Sequence, residues 1–331
     1  MGRFVLRRLA FIPIIALAIG TLTFVLLRVV PGDVGLIQCG QSCTQERLDE
    51  IRETLGLNHP IFPVTGESDP PFVAFHSESQ YEDWLKDVAT GDLGRSLYGG
   101  KDVMGEVQRR LPVSFEIMFL TLLFSSTIGI SFGILSAVMR NTPLDYAVRT
   151  VAVFGQSIPD FFLLTLLIVI PSILWRYASP AGGYVSFVDD PWTNIRMFVP
   201  PTLVLSVGHA VGLMRLVRST MLEVLRSDYV RTARAKGLHP RTVVLRHAFR
   251  NTLAPVITVL SFTLATAFSG SLILERVMGI DGLGNFFFQS VFLRDLPVVQ
   301  FTVLYTALIV VMLNLLQDVS YAYLDPRVRY R

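Results

Sequence analysis

This sequence predicts an all-α integral membrane protein with six transmembrane helices and a small extracytoplasmic subdomain between the first and second, and three observations predict it. Of the 331 residues 51% are hydrophobic and only 17% charged, with a mean hydropathy of +0.51, a balance that a soluble core of this size cannot hide from water. The apolar residues fall in runs of about 20 or more, long enough as helices to cross roughly 30 Å of hydrocarbon. Only helices and closed barrels satisfy their backbone there, and barrels lack such runs. The third observation is an uneven distribution of basic residues around those runs.

The first span, roughly Leu9 to Val30, follows Arg3, Arg7 and Arg8 and has no small-residue cleavage site after it, so it reads as a retained anchor rather than a signal peptide. The others are expected near Val113–Val138, Val151–Trp175, Val199–Leu216, Pro255–Leu274 and Val299–Ala322. With both termini inside, the cytoplasmic segments carry seventeen Arg and Lys residues, against Arg176, Arg196, Arg276 and Arg294 in the two short outer loops. That asymmetry sets the orientation, because long outer loops do not count toward it.

The organisation that follows is a tail and first helix (1–30), an extracytoplasmic subdomain (31–111), a five-helix core (112–322) and a cytoplasmic tail (323–331). In the subdomain, Thr44 can cap a helix with Leu48, Ile51 and Leu55 at helical spacing and Gly56 at its end. A second helix is expected from Glu78 to Val88, with Tyr81, Trp84, Leu85 and Val88 as its apolar stripe; the two stripes are expected to pack on each other and on the membrane surface. Between them, Pro60 to Pro71 reads as irregular loop. Cys39 and Cys43 lie on the face assigned as external, where disulfides persist. A disulfide closing a tiny loop and a pair of free thiols are both open, whereas a metal site would want four ligands.

Absences bound the chemistry. The only lysines are Lys86, Lys101 and Lys236, and none sits in a phosphate-binding loop. No catalytic cluster is visible, so the chain is not expected to be an enzyme.

The informative segment is cytoplasmic, about 217–252, and contains Asp228-Tyr229-Val230-Arg231-Thr232-Ala233-Arg234-Ala235-Lys236-Gly237-Leu238. A helix of small residues can enter a shallow groove, its cations can pair with acidic groups there, and Gly237 lets the chain turn back. The same composition also suits a helix lying on anionic lipid. The segment resembles the EAA loop of bacterial ABC-importer permeases, with Gly237 at the pattern's glycine, Thr232 and Ala233 at its small positions, and Arg231 in place of its glutamate, as in the peptide-transport branch. Arg246-His247-Ala248-Phe249-Arg250-Asn251 with Pro255-Val256-Ile257-Thr258, Gly282-Leu283-Gly284, Asp295-Leu296-Pro297-Val298-Val299-Gln300 and Asp325-Pro326-Arg327-Val328-Arg329 extend the resemblance. So do Arg7-Arg8-Leu9, Pro31-Gly32-Asp33, Gly91-Asp92-Leu93-Gly94 and Arg110-Leu111-Pro112, which are similar to the B-type dipeptide and oligopeptide permeases. The stretch from about Asn58 to Glu78 matches none of this and reads as an insertion.

The resemblance implies a type I ABC-importer permease fold in a bacterial inner membrane, with Arg231, Thr232, Ala233, Arg234, Ala235, Lys236 and Gly237 as the ATPase-coupling segment. It implies a second, C-type permease, two ATP-binding subunits holding ATP and Mg, and an extracytoplasmic solute-binding protein as partners, with membrane lipid around them, no cofactor in this chain and no nucleic acid. Cargo stays open among peptides, nickel complexes, glutathione, haem and sugars. A transporter driven by an ion gradient is the rival, but inverted repeats or paired intramembrane charges are not found.

Within the spans, Asp160 is a candidate for the pathway because ionisable groups at such depth are functional by default. Gln156, Ser157, Thr263, Thr266 and Ser269 can line a pathway or join helices. Gly129 and Gly133 suit close helix packing; Asn314, Gln317 and Asp318 suit bonding between helices, and His209 suits a satisfied polar role.

Overall fold

The computed structural model describes residues 2–29, 35, 44–54, 57–62, 64–68, 71–75, 79–176 and 184–324. Cys39, Cys43, Gly56 and the Asp325–Arg329 segment lie outside them. The described elements are α1 (Gly2–Val29), α2 (Gln45–Thr54), β1 (Val64–Ser68), β2 (Pro71–Phe75), α3 (Gln80–Thr90), α4 (Val103–Val138), α5 (Pro143–Ser157), α6 (Asp160–Trp175), α7 (Pro191–Val224) and α8 (Asp228–Ala235). A short α-turn (Pro240–Thr242) and a π-helical stretch (Val243–Phe249) then lead into α9 (Arg250–Met278), followed by α10 (Leu283–Leu293) and α11 (Leu296–Leu324). Among the described residues five stretches are long and apolar enough to span a membrane, and α5 with α6 makes a sixth if the bent pair counts as one.

That pair corrects the third expected span. In place of one rod from Val151 to Trp175, α5 and α6 meet at 91°. Pro159 is the cause: it has no N–H to donate, and it pushes Ile158 out of the helical region to φ −98, ψ 127. Asp160 is therefore the first residue of a new helix, not a residue deep in an old one. The long helices also overrun the expected spans. Arg196 sits inside α7 instead of an outer loop, and the outer segment before the last span contains the apolar helix α10.

Contacts divide the chain into two compact units. The larger comprises Met1–Ile12, Arg110–Asn285 and Ile309–Arg331. Two of its core clusters join, respectively, Val113, Ile117, Met197, Phe198, Leu205 and Leu274, and Ala137, Leu213, Val217, Met221, Ala248 and Val256. Early α4 meets early α7 and late α9, and late α4 meets late α7 and early α9, so α4 and α7 run parallel and α9 antiparallel to both. Lipid provides no hydrophobic drive for this, so close approach must. A Cβ on Gly129 would stand 2.8 Å from the Ala210 carbonyl oxygen, and one on Gly133 2.7 Å from Val217 Cβ, which is the packing that the spacing of these glycines suggests. Arg8 and Asp318 pair at 2.9 Å.

The smaller unit comprises Pro13–Arg109 and Phe286–Leu308. The Thr44 cap on α2 is present, its hydroxyl accepting from Arg47 N at 3.4 Å. The second helix starts later than expected, where the Ser79 hydroxyl accepts from Glu82 N, and ends at Gly91 in the left-handed region. Its stripe packs on α1: Phe24 meets Tyr81 edge-on at 5.3 Å and Trp84 at 5.6 Å. Gly20 is needed there, since a Cβ would fall 2.7 Å from Trp84 Cη2. The stretch expected as irregular loop instead forms half of an antiparallel hairpin in which Val64 pairs with Phe75 and Ser68 with Pro71. Phe72, Val73 and Phe75 carry a strand signal in β2, whereas Val64-Thr65-Gly66-Glu67-Ser68 carries little, and the Pro and Gly content obscured the pairing.

Candidate functional site

Helix α8 is amphipathic over only 8 residues. Val230 and Ala233 are buried against Val224, Leu225 and Val243, while Arg231, Thr232, Arg234, Ala235, Lys236 and Gly237 are exposed. Of the predicted coupling segment, Ala233 is therefore the seat and the other six form the outward face. Arg231 is 72% exposed and lies 3.4 Å from a still more exposed Asp228, a pairing too solvated to consume its charge. The Asn251 side-chain amide donates to the Tyr229 hydroxyl at 2.6 Å, tying α8 to the start of α9. Gly237 ends the helix at φ +73, its N–H donating to the Arg234 carbonyl at 2.9 Å. The His239 ring accepts from Arg241 N at 3.3 Å and Pro240 opens the next turn.

Next to this segment in the chain, α7 carries a tie that the sequence did not reveal. Asp145 is fully buried and receives Arg218 Nε and Nη2 at 3.0 and 2.8 Å, Asn141 N at 3.1 Å and the Ser136 hydroxyl. One carboxylate thereby joins α4, α5 and α7 through a two-pronged guanidinium contact.

A second polar region lies along the exposed side of α7. Arg215 donates to the Gln156 amide oxygen, and a Cβ on Gly208 would stand 3.9 Å from Asp160 Oδ1. His209 is within electrostatic reach of Asp160, and Gly212 faces open space. Two of the expected pathway residues, Gln156 and Asp160, thus converge with Gly208, His209, Gly212 and Arg215. Ser157, Thr266 and Ser269 are not fully buried, and their hydroxyls bond only carbonyls of their own helices, two of them in the case of Thr266. Thr263 does not join them, being 4% exposed with its hydroxyl on the Val259 carbonyl.

Three of the remaining motif phrases, those with Arg110, Gly282-Leu283-Gly284 and Asp295, act as braces; Pro31-Gly32-Asp33 lies outside the described residues. Arg110 pairs with Asp281 at 2.8 Å. The buried Glu275 carboxyl accepts from the Ser114 hydroxyl and Gly284 N, both at 2.6 Å. A Cβ on Gly282 would meet Glu275 Oε2, and one on Gly284 the Leu272 Cα, each at 2.3 Å. In the smaller unit, Asp295 accepts from Ser96 Oγ at 2.5 Å and Leu97 N at 3.3 Å. Among the described residues no group of three or more His, Cys, Asp or Glu is placed to hold a metal.

A family model described as binding-protein-dependent transport system inner membrane component matches residues 129–330, and its N-terminal counterpart matches residues 1–118. A putative peptide transport system permease protein of Brucella abortus (strain 2308) is 34% identical over 330 residues, covering 100% of both chains. The dipeptide transport system permease protein DppB of Bacillus subtilis (strain 168) is 35% identical over 99% of this chain and 98% of its own. Among solved structures, a chain of the MetNI methionine ABC transporter in an inward-facing conformation aligns with a TM-score of 0.54 and 22% identity over 67% of this chain and 97% of that one, a likeness of fold.

Proposed function

The chain belongs to the family of binding-protein-dependent transport system inner membrane components, and from that premise we propose that it is the B-type permease subunit of an ATP-driven peptide importer. The names of its relatives support peptides as cargo, and the basic-residue asymmetry supports a bacterial inner membrane with both termini in the cytoplasm. A second, C-type permease completes the pathway. Two separate ATPase subunits bind ATP and Mg beneath, and an extracytoplasmic binding protein delivers the peptide to an outer surface to which residues 31–111 contribute.

The observation that carries this reading is α8 itself: a short helix seated on Val230 and Ala233, with Arg231, Arg234 and Lys236 turned outward and Gly237 closing it. Such a face fits an acidic groove on an ATPase. Closure of the ATPase pair then pushes on α8, the buried seat passes the displacement to the end of α7 and the start of α9, and the spans rock between inward-open and outward-open states. The polar side of α7, with Gln156, Asp160 and Arg215, is the surface that faces the peptide along the way. The test is Gly237→Val in the reconstituted importer: ATP hydrolysis continues while peptide uptake is lost and membrane insertion is unchanged. Unaltered uptake would contradict the coupling role.

A further inference from the structure

The stripe of α7 proposed to face the pathway does not stop at Arg215. Gly208, Gly212, Arg215, Ser219, Leu222 and Arg226 recur at intervals of three and four, so they share one side of the helix and of the turn that closes it. Helix α5 repeats the pattern, because Arg149 lies two turns before Gln156. Beyond the contact of Arg215 with Gln156, the two stripes lead into an open basin of about 740 Å³ whose wall includes Arg140, Arg149, Arg218, Ser219, Glu223 and Arg226. All of these residues belong to the larger unit. In the proposed orientation the basin opens on the cytoplasmic side.

The charges around the basin are unevenly matched. Arg218 is committed to the buried Asp145. Among the described residues no carboxylate pairs with Arg140, Arg149 or Arg226, and all three are exposed; Arg149 lies 5.8 Å from the Tyr146 ring. Glu223 is the single carboxylate among the residues lining the basin, so three unpaired guanidiniums stand against one negative charge. Like charges gathered around one concavity raise its potential and draw anions into it. In the other direction along the same side the sign reverses at Asp160, beside Gly208. A solute moving inward thus leaves a carboxylate behind and meets first Arg215 and then the basin.

We propose that this basin is the inner mouth of the pathway and receives anionic groups of the cargo, so that peptides with an acidic side chain are the preferred class. The inference rests on the reading of the chain as a peptide importer permease and adds a charge preference to it. The test is uptake of L-Ala-L-Glu, L-Ala-L-Ala and L-Ala-L-Lys by the importer in proteoliposomes. The binding protein is the same throughout, so the readout is the ratio of Ala-Glu to Ala-Lys uptake in each variant relative to wild type. Arg149→Gln and Arg226→Gln should each lower that ratio by about threefold or more, and Arg149→Lys, which keeps the charge, should preserve it. A ratio unchanged in both glutamine variants overturns the proposal. Failure to import any of the three dipeptides would instead count against dipeptides as cargo, and thiol labelling then decides on the basin alone. Ser219→Cys in the assembled complex, with wild type as the blank for Cys39 and Cys43, should favour an anionic sulfonatoethyl methanethiosulfonate over its cationic trimethylammonium analogue by about threefold or more relative to free cysteine. Adding Arg149→Gln should reduce that preference. No preference for the anionic reagent, or no labelling because another subunit covers the basin, overturns the proposal.

Discussion

Arg218 holds a carboxylate with no exposure at all, so its loss leaves an uncompensated buried charge. Arg218→Ala should destabilise the chain by about 3–5 kcal/mol, read as a fall in the detergent melting temperature, and Arg218→Lys should recover only part of it because an ammonium cannot repeat the two-pronged contact. Gly284 makes the complementary point about space. Gly284→Ala should cost about 1–3 kcal/mol by overpacking, measured the same way, whereas Gly212→Ala, with open space around it, should be close to neutral. The helix-packing role of Gly129 and Gly133 was legible in the sequence because their spacing is itself the signal. The partner of Arg218 was not, since Asp145 lies 73 positions away and charge patterns do not reveal long-range pairing.

Six spans were legible at the level of elements, because hydropathy averages over about 20 residues. The same averaging hid the break at Ile158-Pro159, although the local rule that the residue before proline avoids the helical region was there to be applied. It also could not tell which side of α9 faces the protein interior, so Thr263 and Thr266 looked alike. The π-helical turn Val243–Phe249 links the segment proposed for coupling to α9; such stretches are rare and recur at functional sites. At Gly237 the obstacle to replacement is backbone, not space: φ is +73 and nothing lies within 4 Å of an added Cβ. Gly237→Val should carry about 1–2 kcal/mol of local strain and lose coupling, while Gly237→Asn, which tolerates the left-handed region, should retain most of it. Peptide uptake per ATP hydrolysed in proteoliposomes separates the two.

For the whole molecule, the proposed function puts one face of α7 on the pathway and the outward face of α8 against an ATPase. Filling the open space at Gly212 tests the first assignment: Gly212→Trp should abolish uptake while the chain still inserts and co-purifies with its partners, and retained uptake would exclude that face. The outline of the fold was readable from hydropathy, and the segment proposed for coupling stood out by its motif. Of the face proposed for the pathway only Gln156 and Asp160 were candidates in the sequence, since Arg215 and His209 become candidates only once those two are seen beside them. The measurement that tests the central claim most directly is photocrosslinking in the intact membrane, with a photoreactive residue at Ala235 on the exposed face of α8 and, as control, at the buried Val230. An adduct with an ATPase subunit from Ala235 and none from Val230 is the predicted result. No ATPase adduct from Ala235, or equal adducts from both, would contradict it.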